Sequence, residues 1–170
     1  MIKYLGYAVT FQEVPNEVTL CFNITNCKHR CPGCHSPELQ QDIGNDLEVD
    51  IESIINRYLG GITCVCFMGE GNDNLALLRC LVMIRDKYPG LKTCIYSGEG
   101  LGGNWDLYIM LGNRMLDYLK LGPYIQSRGP LNNSNTNQRM YRISYNSESD
   151  MANMEDITSK FWQKGFHNNI

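Results

Sequence analysis

The segment Asn26-Cys27-Lys28-His29-Arg30-Cys31-Pro32-Gly33-Cys34-His35 sets three cysteines in a C-x3-C-x2-C spacing. No other part of the chain restricts its fold as much. The run is polar and contains Pro and Gly, so three separate core thiols are a poor account of it. A loop that gathers its thiolates around one metal group is a better one. Pro32 and Gly33 make the tight turn that lets Cys31 and Cys34 converge. Thiolates are soft ligands that suit iron–sulfur clusters or zinc. A closed zinc site takes four ligands, and ordinary cubane clusters take four cysteines. Only three are local here, which favours a cluster with one iron left open. The alternative is a zinc site completed by His29 or His35. Lys28, His29 and Arg30 either offset the charge of the bound group or form a solvated face of the loop.

The patterning on both sides places this loop. Val18, Leu20, Phe22 and Ile24 alternate with Thr19, Cys21, Asn23 and Thr25, the period of a strand. That strand runs into the loop at Asn26. Ile51, Ile54, Ile55, Tyr58 and Leu59 have helical spacing, with Asp50 as the expected N-cap and Gly60-Gly61 as the stop. Ile62 to Met68 is almost continuously apolar, as in a parallel strand covered on both faces. A helix is expected over 74–88, capped by Asp73 and ended by Pro89-Gly90. Leu91 to Tyr96 reads as a strand, Trp105 to Leu111 as a short helix, Leu116 to Leu121 as a strand, and Arg139 to Tyr145 as a last strand. Residues 126–138 are polar and read as a loop. The tail, 144–170, carries Met154, Ile157, Phe161 and Trp162, enough to dock on the body as a helix or a hairpin.

Strands alternating with helices predict an α/β chain with a mostly parallel sheet. A length of 170 residues predicts one domain over 1–170. The cysteine loop follows the C-terminal end of a strand, the end that carries the active site in parallel α/β barrels. Gly69-Glu70-Gly71, Ser97-Gly98 and Gly122-Pro123 follow later strands and are expected at the same mouth.

Charge and hydropathy narrow the partners. The net charge is −3 with no basic stripe, which argues against nucleic acid. No apolar stretch is long enough for a bilayer. The first residues lack the apolar core of a signal peptide, so a cytoplasmic location is expected. In that compartment eight cysteines do not predict four disulfides. Cys64 and Cys66 share one side of a strand, and with Cys21, Cys80 and Cys94 they read as buried core thiols. Gly102-Gly103 is too weak a signal for phosphate, and His167 has no expected catalytic part.

The C-x3-C-x2-C loop resembles the signature of the radical S-adenosylmethionine (SAM) enzymes. The string Cys31-Pro32-Gly33-Cys34, with Leu121-Gly122-Pro123-Tyr124 and Thr136-Asn137-Gln138-Arg139, is similar to the activating proteins of anaerobic ribonucleoside-triphosphate reductases. The resemblance spans roughly residues 7 to 143. It implies a partial, open (β/α) barrel and a [4Fe-4S] cluster on Cys27, Cys31 and Cys34. The open iron is expected to chelate SAM, which reductive cleavage turns into methionine and a 5′-deoxyadenosyl radical. That radical is expected to take a hydrogen atom from a glycine of the reductase. The reductase is the implied protein partner, and flavodoxin or ferredoxin the implied electron donor.

Met68-Gly69-Glu70 stands where the family has Gly-Gly-Glu or Gly-Gly-Asp, which assigns Gly69 and Glu70 to the SAM amino group. Glycine permits close backbone approach there. Asp73 is more simply a helix cap. Gly33 replaces a common aromatic, so adenine contacts fall to backbone and other loops, with His35 and Ser97 as candidates. His35 reads equally well as a polar loop residue. Alternatives are a radical SAM enzyme acting on a small molecule, or a zinc-binding module without catalysis. Replacing any one of Cys27, Cys31 or Cys34 by Ala is expected to abolish cluster-dependent SAM cleavage. The same change at Cys64, Cys66 or Cys94 should leave iron and sulfide content intact in folded protein. Full iron and sulfide in Cys31→Ala would sink the ligand assignment.

Overall fold

The computed structural model describes residues 1–100, 102, 105–146 and 152–162. The chain runs β1 (Lys3–Thr10), β2 (Thr19–Ile24), β3 (Asn45–Asp46), α1 (Leu47–Tyr58), β4 (Cys64–Met68), α2 (Asn74–Lys87), β5 (Lys92–Tyr96), α3 (Trp105–Gly112), β6 (Tyr118–Leu121), β7 (Arg139–Tyr145) and β8 (Ala152–Asp156). His167, Gly103 and the tail segments 147–151 and 163–170 lie outside the described residues.

The strands form one sheet in the order β3-β1-β2-β4-β5-β6-β7-β8. This corrects the expected partial barrel with a mostly parallel sheet. The sheet is mixed and not closed, antiparallel at four of its seven pairings. Parallel pairing is confined to the three central ones, β2 with β4, β4 with β5 and β5 with β6. Three strands absent from the sequence reading, β1, β3 and β8, and the antiparallel direction of β7 account for the difference. In β1 the register with β2 shifts between Tyr4 and Tyr7, where Gly6 has a φ of 115°. Such a bulge puts one extra residue into the strand and breaks its period of two. At the other edge, β8 reads Ala-Asn-Met-Glu-Asp and has little apolar alternation. It pairs antiparallel with β7, so the described part of the tail is a hairpin arm followed by a 3-10 turn over Thr158–Phe161.

Alternation in the central strands divides two cores. Leu20, Phe22, Ile24, Val65, Phe67, Ile95, Leu119 and Leu121 pack with Ile51, Ile54 and Ile55 of α1, Leu77, Leu81 and Ile84 of α2, and Leu107 and Met110 of α3. The intervening Cys21, Cys64, Cys66, Cys94 and Tyr118 point to the other face, with Val14, Leu131 and Met140. Loops rather than helices cover that face. Helix α2 begins as expected, with the Asp73 carboxylate accepting from the Ala76 N–H at 2.9 Å. Helix α1 begins earlier than expected. Its N-cap is Asp46, which accepts from the Glu48 N–H, and Asp50 lies within the first turn. Among the described residues no helix is long and apolar enough to cross a membrane.

A buried carboxylate ties the N-terminal ends of the parallel strands together. The Glu17 side chain is 3% exposed and pairs with Lys92. It accepts hydrogen bonds from Thr63 Oγ1 at 2.6 Å and from the Tyr118 hydroxyl at 2.7 Å. Burial pushes its carboxyl up, but the bonds from Lys92, Thr63 and Tyr118 outweigh that and hold it below the usual range. The unfolded chain therefore binds the proton more readily. The stabilisation is complete above the unfolded value of about 4.3 and is lost as pH falls through the folded one. Glu17→Gln is expected to cost about 1.5–3 kcal/mol near neutral pH and to flatten the acid limb of stability. Urea unfolding at a series of pH values measures both. An unchanged acid limb would mean that Glu17 is not the group responsible.

Candidate metal centre

Four loops meet at the C-terminal ends of β2, β4, β5 and β6, because those strands run in one direction. The cysteine loop leaves β2 at Thr25, whose hydroxyl donates to the Ile43 carbonyl at 2.7 Å. The Asn26 and Cys27 N–H groups donate to the Gln41 and Leu39 carbonyls at 2.8 and 3.0 Å. Arg30 sits in the left-handed region with a φ of 45°, which turns the backbone between Cys27 and Cys31. The Cys34 N–H closes the next turn on the Cys31 carbonyl at 3.1 Å. Cys27, Cys31 and Cys34 are all free and half-buried.

The loop is docked at both flanks. At one flank His29 Nε2 lies 3.3 Å from Glu70 Oε2, and Lys28 pairs with Glu99 at 2.8 Å. The His29 ring also rests on Gly98, where a Cβ would meet it at 2.5 Å. This is a close approach that only glycine allows. At the other flank His35 Nε2 lies 2.9 Å from the Tyr124 hydroxyl, with ring centroids 4.5 Å apart. A Cβ at Gly33 would meet Gln126 Oε1 at 2.9 Å. Gly33 and His35 thus contact the loop after β6, and both are exposed.

The remaining candidates fall on the same edge. Glu70 is 4% exposed, and a Cβ at Gly69 would stand 3.5 Å from the Ile24 carbonyl at the end of β2. Ser97 is buried, and its hydroxyl accepts the Glu99 N–H at 3.0 Å. Asp73 is a helix cap that also pairs with the N-terminus, in line with the simpler reading. Asn137 and Gln138 fasten the Gly122-Pro123 turn. Asn137 Nδ2 donates to the Pro123 carbonyl at 2.9 Å, and Gln138 Nε2 to the Gly122 carbonyl at 3.4 Å. Arg139 donates to the Thr136 carbonyl at 2.8 Å, which braces the approach to β7.

Lys120 belongs to the site and was missed by sequence reasoning. It lies in an apolar strand and is 7% exposed. Its Nζ donates to the Gly122 carbonyl at 2.7 Å and lies 5.9 Å from the centre of the Tyr96 ring. Burial pushes the amine down to about 8, while the charges of Cys31, Glu70 and Cys27 push it up. A lysine inside a predicted buried strand was the available signal. The loop's own cations offset less charge than their sequence positions imply, since Lys28 is paired with Glu99 and His29 faces Glu70.

Three half-buried thiols on one loop, beside a buried ammonium, are a donor set suited to a soft metal or an iron–sulfur cluster. His29, Glu70 and Glu99 also place ligand atoms within 4.8 Å of one another, the one such group among the described residues. Within the protein Lys28 already pairs with Glu99, and His29 already faces Glu70. Both histidine Nε2 atoms face partners other than the thiols. The five strand and helix cysteines are buried and free. Burial pushes the Cys80 and Cys94 thiols up to about 12 and about 11. Cys21 is held up first by its bond with Cys66 and then by burial. Comparison of the chain with protein-family models, curated proteins and solved structures gives no match.

Gly98→Ala is expected to push the His29 ring away from Glu70, at a cost of roughly 1–3 kcal/mol. Iron uptake by the cysteine loop on anaerobic reconstitution should fall with it. The double variant Gly98→Ala/His29→Ala should recover stability, since the overlapping ring is gone, but not uptake, since the His29 contact with Glu70 is gone with it. Normal uptake in Gly98→Ala alone would show that this flank does not position the thiols.

Proposed function

We propose that the chain is a radical SAM activase that generates a glycyl radical on the anaerobic ribonucleoside-triphosphate reductase. One observation carries the reading. The three-cysteine loop lies across the ends of four parallel strands, where Gly69-Glu70, Ser97 and Lys120 converge on it. The motif resemblance in the sequence supports the same assignment, and it does not need a barrel.

Cys27, Cys31 and Cys34 hold a [4Fe-4S] cluster in this reading. Such a cluster, when bound, supplies one electron to the sulfonium of SAM. The Glu70 carboxylate, already buried against His29, offers an acceptor for the SAM ammonium, and the Gly69 backbone leaves room for it. Ser97 and His35 border the same edge and bound the space for the nucleoside. The overall reaction takes one electron from a low-potential donor such as flavodoxin or ferredoxin. It splits SAM into methionine and 5′-deoxyadenosine and leaves the reductase glycine one hydrogen atom short.

A protein substrate suits this edge. The thiols are half-buried, and beside Pro32 a shallow groove is lined by Tyr124, Ile125, Gln126 and Ser127, with Ile125 exposed. A radical in contact with water is lost to side reactions, so a partner that covers the edge has to exclude solvent before cleavage. Reduced protein with SAM and the reductase from the same cell is expected to produce a glycyl radical visible by electron paramagnetic resonance. Replacing the reductase glycine by Ala should remove the signal. A reductase that never acquires a radical, with SAM turnover stimulated by a small metabolite instead, would overturn the partner assignment.

A further inference from the structure

Lys120 carries a charge at a place that patterning would give to an apolar side chain. It follows Leu119 on β6 and points away from the helices, toward the face that holds Tyr96 and Met140. Its ammonium has three protons to donate, and the Gly122 carbonyl takes one of them at 2.7 Å. The cysteine loop is docked on the segments that follow β5 and β6. On one side His29 rests on Gly98, and the neighbouring Ser97 donates its N–H to the Lys120 carbonyl at 2.8 Å. On the other side Gly33 and His35 lie against Gln126 and Tyr124. Arg30, Cys31 and Pro32 therefore lie between contacts on the segments after β5 and after β6, and the charges of Cys31 and Cys27 act on Lys120. A buried ammonium needs a compensating negative charge. The Gly122 carbonyl offers only a dipole, and Glu70 is shared with His29.

We propose that Lys120 is a positioning residue of the cysteine site, its buried ammonium the fixed counter-charge for the anion that three thiolates form with their metal group. The inference rests on the reading of Cys27, Cys31 and Cys34 as metal ligands. The charges balance simply. Thiols release their protons on binding metal. A doubly positive core, either one divalent ion or an oxidised [4Fe-4S] cube, is then left with a net single negative charge. One-electron reduction of the cube adds a second. Each added negative charge is stabilised by a cation held nearby in surroundings of low effective dielectric. Removing the cation disfavours metal binding to protonated thiols and disfavours reduction.

Three variants separate charge from hydrogen bonding. Lys120→Gln keeps a donor for the Gly122 carbonyl without the charge, Lys120→Met removes both, and Lys120→Arg keeps the charge. Anaerobically reconstituted proteins are titrated potentiometrically at neutral pH, following the cluster's paramagnetic signal. The equilibrium constant for reduction is expected to fall at least tenfold in the Gln and Met variants, ~59 mV for one electron, with Arg near wild type. Equal midpoints in wild type and Lys120→Gln, both with full iron and sulfide, overturn the proposal. Wild-type protein that takes up no iron and sulfide defeats the activase reading, and cobalt(II) titration of the apo protein then decides for Lys120. A roughly tenfold weaker thiolate–cobalt complex in Lys120→Gln sustains the counter-charge. Equal affinity, or no cobalt binding by wild type, overturns it. Failure of both uncharged variants to fold, with Lys120→Arg folded, makes the charge a requirement of the fold and also overturns it.

Discussion

The common direction of β2, β4, β5 and β6 is the constraint on which the rest depends. Parallel neighbours need crossover connections, and here each carries a helix back along the same face. The C-terminal ends of all four strands are thereby left along one edge. The loops leaving those ends carry the cysteines, Glu70, Ser97 with Glu99, and Gly122. At the opposite ends, Glu17 joins the start of β2 to Thr63, Lys92 and Tyr118, so the strands are fastened where the site is not. The antiparallel strands β1, β3, β7 and β8 extend the sheet on both sides without changing that edge.

Charge arrangement then determines how the cysteine loop sits. Water is largely excluded around Glu70 and Lys120, at 4% and 7% exposure. A buried charge without a partner is costly, so the loop's position and the charges beneath it are coupled. His29 and Lys28 fix one flank on the loops after β4 and β5. His35 fixes the other flank on Tyr124, whose loop is held in turn by Asn137 and Gln138. The segment between the flanks carries Cys31, whose charge acts on the buried Lys120. Asn137 and Gln138 thus act on the site at one remove, by shaping the turn against which the cysteine loop rests.

The face turned away from the helices is rich in sulfur. Cys21, Cys66 and Cys94 are register partners across three adjacent parallel strands. Cys66 Sγ lies 3.7 Å from Met68 Sδ. These thiols are small, soft packing groups, and their raised pKa values keep them neutral. Thiolate character governs both metal binding and nucleophilicity. Burial therefore separates the five core cysteines from the three half-buried loop cysteines more sharply than their shared residue type suggests.

Much of the centre was legible in the sequence. Alternation from Val18 to Ile24, the apolar run to Met68 and the glycine stops located four strands, and the Asp73 cap located α2. The cysteine spacing marked the loop, because thiol spacing on a short segment is a local property. Of the outer strands, β7 was read over Arg139 to Tyr145, but β1, β3 and β8 were not legible. A bulge at Gly6 breaks the period of β1, and β8 is a polar edge strand with only one neighbour, so neither has an apolar signature of its own. The start of α1 was misplaced because Asp46 and Asp50 are equally good caps by composition, and only β3 pairing with β1 puts the turn at Asp46. By itself, then, the sequence determined which residues are chemically able to hold a metal group and which strand they follow. Tertiary structure alone decided that the sheet is mixed and open, that Lys28 and His29 are engaged with Glu99 and Glu70, and that Lys120 is buried within reach of the charges of Cys31 and Cys27. Those outcomes depend on residues far apart in the chain meeting at one edge, where long-range pairing and the cost of burying charge override local pattern.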